Sequence, residues 1–359
     1  MNTKKLKILL LSDAVSFHTE RFYNELQKQN CEVLLASLEK GIPESFSLER
    51  KGFIKPLYYW RAVPQIRSIV ENFKPDIISA HFASGYGHIA ALACKGTNVP
   101  LALNLWGSDI LIVPKKSIFH KFKTKYALKK ADYIFADSQY LINAALKIHQ
   151  FNNYAVIPWG VENYLFDYFK QDFKFSNRVK IIVPRLQEKV YNNLFIVQSL
   201  QELIRTDKIQ LTFPAFGSLY GLFEKECHAL VGDKIKFYQK ADRKDFLKLA
   251  SQHDVYLSAS LSDSSPVSLI EAMALGLVPI VLNIDGVKEW ISDENGFLFE
   301  HNKVSLVNTV NKVINSQNDF DCLRENNKKK VNQEAMFEKN ISDQIEIFKS
   351  LIKRSNEED

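Results

Sequence analysis

The chain has 359 residues, of which 46% are hydrophobic and 25% are charged, and its formal net charge is +6. A chain of this length and apolar content can bury two cores, which a disordered chain cannot do. No apolar run reaches the roughly 20 residues that span a bilayer, and the small positive charge gives no reason to expect binding to nucleic acid. We therefore expect a two-domain protein without a transmembrane helix.

The first residues, MNTKKLKILLLSDAVSFHTE, contain an apolar run over 6–11. Polar and charged residues follow this run at once, without a small-residue cleavage site, so we interpret it as a core strand rather than as a signal peptide. The four cysteines are scattered and form no CxxC or Cys/His cluster. This spacing is typical of free thiols in a reducing cytoplasm and predicts no cysteine-built metal site.

Short apolar runs recur along the first half of the chain, at 6–11, 32–37, 76–79, 101–105, 133–136 and 155–157. Most are separated by longer segments that can form helices, which predicts βα units and a largely parallel sheet. The pattern begins again at 179–183 and continues at 211–213, 236–238, 255–258 and 280–282, with a helix predicted over 243–250. Two consecutive α/β domains fit this repetition better than one very wide sheet.

The segment between the two series, PWGVENYLFDYFKQDFKFSNR at 158–178, carries Pro and Gly and shows no clear periodicity. It predicts the linker, and we expect domains over 1–165 and 166–335. In the tail, 331–359, apolar residues recur at helical spacing. A C-terminal helix over 336–359 is therefore expected to pack on a domain surface.

The stretch SDSSPVSLIEAMALGLVPIV places Asp263 eight residues before Glu271. Residues 254–260 predict a strand and 267–275 predict a helix, with Ser264 or Ser265 as its N-cap. A helix N-terminus suits a phosphate, and carboxylates near it can accept hydrogen bonds from sugar and ribose hydroxyls. A nucleotide sugar fits this pattern; the alternative is that Asp263 is a turn residue and Glu271 a solvated helix position.

The same stretch resembles the E-x7-E segment of retaining GT-B glycosyltransferases of family 4, E-G-x-P-x-x-x-x-E-A-M-A-x-G-x-P-V-V. Asp263 replaces the first Glu and Ser264 replaces the Gly, and the matching residues are Pro266, Glu271, Ala272, Met273, Ala274, Gly276 and Pro279. The resemblance covers nearly the whole chain. It implies an α/β GT-B fold, in which two Rossmann-like domains face a central cleft. The N-terminal domain would bind the acceptor, the C-terminal domain the nucleotide sugar, and the last helix would cross back to the first domain.

The resemblance also implies a donor site. Arg185, in VPRLQEKVYNN, stands at the position of the family's arginine, and Lys189 lies beside the position of its lysine, which Val190 occupies. Both would bind the diphosphate, while Asp263 would hold a sugar hydroxyl and Glu271 the ribose. These four are the expected catalytic residues. Further donor contacts are expected from the start of the helix, at Ser264, Ser265, Pro266, Val267, Ser268 and Leu269.

No metal and no cofactor are expected besides the nucleotide sugar itself. A guanidinium, an ammonium and a helix N-terminus are together able to stabilise a departing nucleoside diphosphate without a metal. The sequence also shows no acidic pair of the DxD kind near a strand end that would indicate one.

Candidate acceptor contacts follow strands of the first domain, where open α/β sheets bind their ligands. His81 comes just after one predicted strand, and WGSD places Trp106 and Asp109 just after the next. Trp106 stands where the family usually has a His, so it could stack on a sugar or donate one N–H. His18 is a further candidate. Either His could equally be a surface residue, and Asp109 could be a helix cap.

The segment VPKKSIFHKFKTKYALKK, at 113–130, contains seven lysines and no acid. Ile118, Phe119, Phe122 and Tyr126 recur in it at helical spacing. A basic amphipathic helix from Lys115 to Lys130 suits an anionic membrane surface, as in relatives that act on lipid-linked acceptors. The alternative is an ordinary domain helix with its aromatic side chains in the core. We expect a cytoplasmic protein, peripheral at the inner face of the membrane.

The resemblance implies transfer of a hexose or N-acetylhexosamine from a nucleoside-diphosphate sugar, expected to be a UDP-sugar. The acceptor would be a hydroxyl of a glycan or lipid-linked saccharide, with the anomeric configuration retained, as in cell-surface polysaccharide assembly. Two alternatives stay open. Asp263, Trp106 and the displaced lysine are compatible with a non-catalytic partner or scaffold protein, and a nucleotide-sugar epimerase would use the same fold without an acceptor.

Overall fold

The computed structural model describes residues 5–49, 55–170, 178–316 and 320–357, without side-chain detail at 55–60 and 355–357. The chain forms two compact units. The first comprises Met1–Pro158 and Glu338–Asp359, and the second comprises Trp159–Phe337.

The first unit is a parallel sheet with helical connections. Its strands are β1 Leu6–Leu11, β2 Cys31–Ser37, β3 Phe46–Ser47, β4 Ile77–His81, β5 Leu101–Asn104, β6 Tyr133–Ala136 and β7 Tyr154–Val156. Its helices include α1 Phe17–Lys28, α2 Lys55–Phe73, α3 Gly87–Ala93, α4 Ser108–Leu111, α5 Ile118–Lys130 and α6 Gln139–Leu146. The strand order is β3-β2-β1-β4-β5-β6-β7, with β1 between β2 and β4.

The first core explains why the strands of this unit read as continuous apolar runs. Residues 8–11 of β1 are all fully buried, because both faces of the sheet are covered. Leu9 and Leu11 pack in a cluster with Ile89 of α3 and Ile66 of α2. The alternation typical of a half-exposed strand is therefore absent, and length and flanking residues identify the strand instead.

The second unit repeats this design with a six-stranded parallel sheet. Its strands are β8 Val179–Ile182, β9 Ile209–Pro214, β10 Lys236–Tyr238, β11 Val255–Ser258, β12 Val278–Leu282 and β13 Phe297–Phe299. Its helices are α7 Asn193–Arg205, α8 Tyr220–Val231, α9 Arg243–Ser251, α10 Val267–Ala274, α11 Lys303–Asn315 and α12 Phe320–Glu334. The order β10-β9-β8-β11-β12-β13 places β8 and β11 side by side at the centre.

Successive residues of the central strands of the second unit enter cores on opposite faces of its sheet. Ile181 and Leu257 belong to one hydrophobic cluster, whereas Ile182 and Tyr256 belong to another. This is the period-two geometry of a strand covered on both sides. The predicted class, two α/β domains with parallel sheets, is confirmed. The sequence patterns missed β3 and β13, which have two and three residues.

The segment predicted as a linker, 158–178, is in its described part the beginning of the second unit. Val161 and Leu165 are fully buried in the cluster that contains Met273. The chain therefore enters the second unit after Pro158, earlier than the predicted boundary at 165. Residues 171–177 of the predicted linker lie outside the described residues.

The continuous helical spacing of the tail, 331–359, does not correspond to one helix, because its described part belongs to two helices. α12 ends at Glu334, and α13 runs over Phe337–Glu357. Between them, Met336 forms a parallel bridge with Val161, whose N–H donates to the carbonyl of Ala335 at 2.9 Å. The Ala335 carbonyl and the Phe337 N–H are hydrogen-bonded to Val161 and are not available for the hydrogen bonds of a continuous helix.

Helix α13 groups with the first unit from Glu338 onward. The amide of Gln344 donates to Oδ1 of Asn104 on β5 at 2.8 Å, and Phe348 packs edge-on against Phe135 of β6 with ring centroids 5.7 Å apart. The helix thus covers part of one face of the first sheet.

Candidate active site

Arg185 lies at the carboxyl end of the central strand β8, three residues after its last residue. Its Nη2 donates to Oδ2 of Asp263, and the guanidinium lies over the ring of Tyr191 at 5.1 Å from the centroid. Nε lies 3.5 Å from Oγ of Ser258, at the limit of a hydrogen bond. Burial on its own would lower the pKa of Arg185, but the Asp263 carboxylate, together with Tyr256 and Tyr191, outweighs burial and raises the pKa. The guanidinium is therefore charged, buried and fixed in orientation.

Asp263 reaches Arg185 from the loop that joins the neighbouring strand β11 to α10. Gly286 packs directly on this loop, where an added Cβ would overlap the carbonyl oxygen of Asp263. Ser260 Oγ also donates to the Ser262 carbonyl at 3.2 Å. Because the carboxyl ends of parallel strands meet at one edge of the sheet, the fold brings these two predicted residues together.

Helix α10 begins directly after this loop, but the predicted serine cap is wrong. Pro266 occupies the N-cap position, and no side chain caps the helix. Ser265 instead accepts a hydrogen bond from Trp290 Nε1 at 2.8 Å, and Ser264 is buried in the loop. The helix start consequently has no side-chain acceptor from its own cap, the situation in which a bound anion can serve.

The predicted donor contacts in the first turn of α10 differ from one another. The N–H of Leu269 donates to the carbonyl of Pro266 at 2.9 Å, so the geometry does not support its predicted contact with a ligand. Val267 and Ser268 precede it in the turn, and the Ser268 hydroxyl lies 3.0 Å from the Tyr256 hydroxyl. The amides of Val267 and Ser268 are the ones that an anion could meet.

Glu271 is buried in α10 and does not fit the alternative of a solvated helix position. Its Oε1 forms an ion pair with Nη2 of Arg243 at 2.7 Å, and the same nitrogen lies 3.7 Å from Oε2 of Glu162. Burial on its own would lower the pKa of Arg243, but its contacts with Glu271, Glu162 and Tyr164 together raise the pKa. Burial, with a contribution from Glu271, raises the pKa of Tyr238.

Arg243 is the residue of this region that sequence reasoning missed. It is the first residue of α9, after Asp242, whose side chain caps the helix at 2.8 Å from the N–H of Asp245. The only signal in the sequence is a basic residue that begins a helix soon after a predicted strand, at 236–238. Basic residues at such positions are commonly solvated, and only the fold brings this one to Glu271.

Lys189, the weaker of the predicted diphosphate ligands, is exposed in a short 3₁₀ turn, Lys189–Tyr191. The contact with Arg185 comes from Tyr191 at the other end of this turn. Lys189 lines a cavity of about 200 Å³ together with Gln187, Asn193 and Phe223. The structure therefore places Lys189 close to Arg185 in the chain but does not bring its ammonium to the ion pair with Asp263.

The predicted acceptor residues of the first unit gather around Trp106, which follows β5; His81 is the buried last residue of β4 rather than a residue after it, and His18 lies on α1. The Trp106 ring lies 5.3 Å from that of His81 and 5.8 Å from that of His18, and it stacks on Phe82 at 4.5 Å. His81 Nδ1 lies 2.9 Å from Oγ of Ser12. Burial lowers the pKa of His81 to about 3, so its imidazole is neutral near pH 7. Trp106 is only partly buried, which leaves part of its ring for a ligand.

Asp109 directs its carboxylate at the backbone. Oδ2 accepts from the N–H of Ala83 at 2.7 Å, and Oδ1 accepts from the N–H of Trp106 at 3.0 Å. Burial raises the pKa of Asp109 to about 6, although these hydrogen bonds act in the opposite direction. The carboxylate therefore joins the loop after β4 to the loop after β5 and fixes Trp106. A direct contact of Asp109 with an acceptor does not fit this arrangement.

The basic helix α5 presents apolar side chains outward. Ile118, Phe119 and Phe122 are 89%, 53% and 61% exposed, so the alternative that placed the aromatic residues in the core is wrong for Phe119 and Phe122. The side of the helix that packs on the unit instead carries Lys123, Thr124, Ala127 and Leu128. Lys123 lies over the Phe119 ring at 4.5 Å. Tyr126 is partly buried against His88, with ring centroids 5.6 Å apart.

The described residues contain neither a membrane-spanning helix nor a metal-binding cluster. None of their helices has an apolar stretch long enough to cross a bilayer. Within the same ranges, no group of three or more His, Cys, Asp and Glu side chains is arranged to hold a metal ion.

Two family models match the chain, one for each unit. Glycosyl transferase 4-like matches residues 7–138, and Glycosyl transferases group 1 matches residues 168–330. The Bacillus subtilis protein TuaC, named as a teichuronic acid biosynthesis glycosyltransferase, is 28% identical over 269 residues, which are 66% of this chain and 65% of TuaC. The uncharacterized glycosyltransferase MJ1178 of Methanocaldococcus jannaschii is 27% identical over 73% of this chain and 72% of its own.

Solved structures agree in fold. The sucrose-phosphate synthase of Thermosynechococcus elongatus has a TM-score of 0.82 at 14% identity and covers 98% of this chain and 100% of its own. HepE of Anabaena, solved in complex with UDP-glucose, has a TM-score of 0.79 at 17% identity and covers 96% and 100%. At these identities the likeness concerns the fold alone. With both units matched by glycosyl transferase models, the chain belongs to the group 1, family 4-like glycosyltransferases of the GT-B fold.

Proposed function

We propose that the protein is a retaining glycosyltransferase that transfers a hexose or N-acetylhexosamine from a UDP-sugar to a hydroxyl of a glycan or lipid-linked saccharide. The observation that carries this proposal is the convergence of Arg185, the Asp263 loop and the start of α10 at the ends of the adjacent strands β8 and β11. A fixed guanidinium beside a helix N-terminus is suited to a diphosphate.

In this proposal the donor diphosphate lies between Arg185 and the first turn of α10. Arg185 stabilises the negative charge that develops on the leaving diphosphate, and the amides of Val267 and Ser268 contribute the positive end of the helix dipole. Glu271, held by Arg243, accepts hydrogen bonds from the ribose. These groups supply the charge stabilisation, so we propose that neither a metal nor a further cofactor is required.

Retention follows if the acceptor approaches from the face that the diphosphate leaves. The glycosidic bond to the diphosphate breaks while the acceptor oxygen bonds to the anomeric carbon. The leaving phosphate oxygen takes the proton of the acceptor hydroxyl, so no protein nucleophile is needed. The transition state is oxocarbenium-like, and its energy depends mainly on stabilisation of the departing diphosphate.

The acceptor is proposed to contact the aromatic group of the first unit. The part of the Trp106 ring that stays exposed can stack on the apolar face of a sugar, and His18 lies beside it. With His81 neutral, this surface offers little charge and suits an uncharged saccharide. We propose a role in cell-surface polysaccharide assembly, in line with the name of its relative TuaC, a teichuronic acid biosynthesis glycosyltransferase.

A lipid-linked acceptor would bring the protein to a membrane, and we propose that α5 binds there. Exposed Ile118, Phe119 and Phe122 can enter the lipid interface while lysines on the same helix meet anionic headgroups. The protein would then be cytoplasmic and peripheral at the inner face of the membrane. In sedimentation with vesicles of phosphatidylglycerol, the triple Ser variant of these residues should bind at least about tenfold more weakly, since roughly 0.8 kcal/mol is lost for each buried methylene. Equal binding of the variant would exclude α5 as the docking element.

The first test is thermal stability against a panel of nucleoside diphosphates and their sugars. A ligand at 100 times its dissociation constant stabilises a protein by about 2.7 kcal/mol, so UDP or one UDP-sugar should raise the melting temperature. The stabilising sugar is then offered with saccharide acceptors, and the anomeric configuration of the product is read by NMR. Binding without sugar release would favour a scaffold, and isomerisation without acceptor would favour an epimerase.

A further inference from the structure

Asp263 and Arg185 form an ion pair that is largely removed from solvent. The Arg185 side chain is 9% exposed and that of Asp263 is 16% exposed. A buried guanidinium requires a counter-charge, because removing one partner leaves the other charge desolvated and unpaired. In the protein without donor, the Asp263 carboxylate meets this requirement.

The geometry of the pair is fixed from both sides. On the Arg185 side, the Tyr191 ring and the Ser258 hydroxyl limit the orientation of the guanidinium. On the Asp263 side, the backbone rests on Gly286, where no larger residue fits. The pairing is therefore a property of the folded second unit rather than a chance contact of two mobile surface side chains.

The Asp263 carboxylate and a bound diphosphate would compete for the positive charge of Arg185. Both are anions that accept from guanidinium N–H groups, and two anions close to one cation repel each other. A carboxylate that contacts Arg185 is also not directed at a neutral sugar hydroxyl. The predicted role of Asp263, a hydrogen bond to the sugar, therefore does not follow from this arrangement.

We propose that Asp263 is the resident counterion of Arg185 and that the donor diphosphate replaces it there. This inference rests on the proposed function, since it concerns the same diphosphate site. Asp263 then sets the affinity of the protein for the nucleoside diphosphate and is not a determinant of the sugar. When the diphosphate departs, the carboxylate returns to Arg185, which favours release of the product.

The test is calorimetric titration of the full chain with UDP, and separately with inorganic diphosphate, before and after Asp263→Asn. Without the competing carboxylate, both ligands should bind at least about tenfold more tightly, within the range of coupling found for close charge pairs. Asp207→Asn is the matched control. Asp207 also pairs with cations, Lys234 and Arg178, but lies before β9 at the opposite edge of the sheet, and its substitution should leave both affinities unchanged.

Asp263→Glu provides a second variant in case the Asn variant is too unstable to titrate. Asp263→Glu keeps the negative charge, so its dissociation constant for UDP should be within about threefold of that of the unsubstituted protein. The Asp263→Asn variant should have a lower melting temperature without ligand, and saturation with UDP should restore it. The inference is overturned if Asp263→Asn binds UDP equally or more weakly, or if only UDP-sugar binding changes. Failure of the proposed function is a distinct result, in which the unsubstituted protein binds no nucleoside diphosphate.

Discussion

The carboxyl ends of the two sheets carry different chemistry. In the second unit, a buried arginine and a partly buried one are paired with carboxylates, Arg185 with Asp263 and Arg243 with Glu271. In the first unit, the corresponding edge carries the uncharged rings around Trp106, and the buried carboxylate of Asp109 is directed at backbone N–H groups. The carboxyl end of the second sheet is therefore a charged site, whereas that of the first sheet is largely neutral.

In the proposed function, this difference corresponds to the two halves of a transfer reaction. A diphosphate needs fixed positive charge, and buried arginines supply it only when carboxylates compensate them in the free protein. A saccharide hydroxyl needs an apolar ring to rest on and no strong field. The following substitutions test whether charge belongs to the donor half and stacking to the acceptor half.

Arg185→Ala should have the largest effect. Removing the cation that pairs with Asp263 should lower kcat/KM by roughly a thousandfold, comparable to the loss of a main electrostatic contact in other enzymes. The measurement is release of UDP under saturating acceptor. Arg185→Lys keeps the charge without the planar fork and should lose less. If the Ala variant turns over as fast as the unsubstituted protein, the proposed donor site is wrong.

Arg243→Gln should lower UDP affinity by about one hundredfold and remove the preference for ribose. The reason is that Glu271 loses the group that holds its Oε1 at 2.7 Å; truncating one partner of a buried charged pair costs about 2–5 kcal/mol. Titration with UDP and with 2′-deoxy-UDP separates the two effects. Arg205→Gln, an exposed change at the end of α7, is the control. A ribose preference that survives in Arg243→Gln would mean that Arg243 does not position Glu271.

Asp109→Asn should change the pH dependence of stability. Burial raises the folded pKa of Asp109 to about 6, above the roughly 3.9 of an unfolded chain. The folded state therefore binds this proton more tightly, and its stabilising contribution, present below pH 4, is lost as the pH rises through 6.

In urea unfolding, the stability of the unsubstituted protein relative to Asp109→Asn should fall by about 2 kcal/mol between pH 4.5 and 7. Asp132→Asn, in the same unit, is a control because the Asp132 carboxylate likewise accepts a backbone N–H, from Leu101 at 2.7 Å, but Asp132 is exposed. A difference that is independent of pH would show that Asp109 is not held at a raised pKa.

Much of the fold could be predicted because it depends on local patterns. Buried parallel strands appear as short apolar runs, and each run predicted here overlaps a strand. The loop with Asp263 and the residue Arg185 could be placed because both follow such strands directly. The elements that were missed or wrongly extended, β13 and the break at Ala335, depend on pairing with residues far away in the chain, as in the bridge between Val161 and Met336.

Side-chain partners could not be predicted in the same way. The local sequence pattern does not show that Glu271 pairs with Arg243, 28 residues before it. It also does not show that the Asp109 carboxylate accepts a hydrogen bond from the backbone N–H of Ala83. Periodicity gives the apolar stripe of α5 but not which side faces the core, since Ala127 and Leu128 pack inward while Ile118 stays exposed. Such choices are made by the neighbouring elements and require the assembled fold.

Trp106→Ala should have the smallest effect of these changes and the most selective one. Aromatic stacking contributes about 0.5–1.5 kcal/mol beyond the area it buries, so the KM for the acceptor should rise about tenfold. The affinity for UDP should not change, since the Trp106 ring packs on Phe82, His81 and His18 of the first unit, away from the proposed diphosphate ligand Arg185 in the chain. Initial rates at varied acceptor, with titration of UDP in parallel, provide both values.

Trp106→Phe is the matched variant for this last substitution, because it keeps a ring that can lie on Phe82 and on a sugar while removing the indole N–H. Recovery of the acceptor KM in the Phe variant would assign the contact to stacking, whereas an Ala-like KM would assign it to the N–H. If UDP affinity falls in either variant, the division between a charged donor half and a neutral acceptor half is wrong, since a ring of the first unit would then contribute to the diphosphate site.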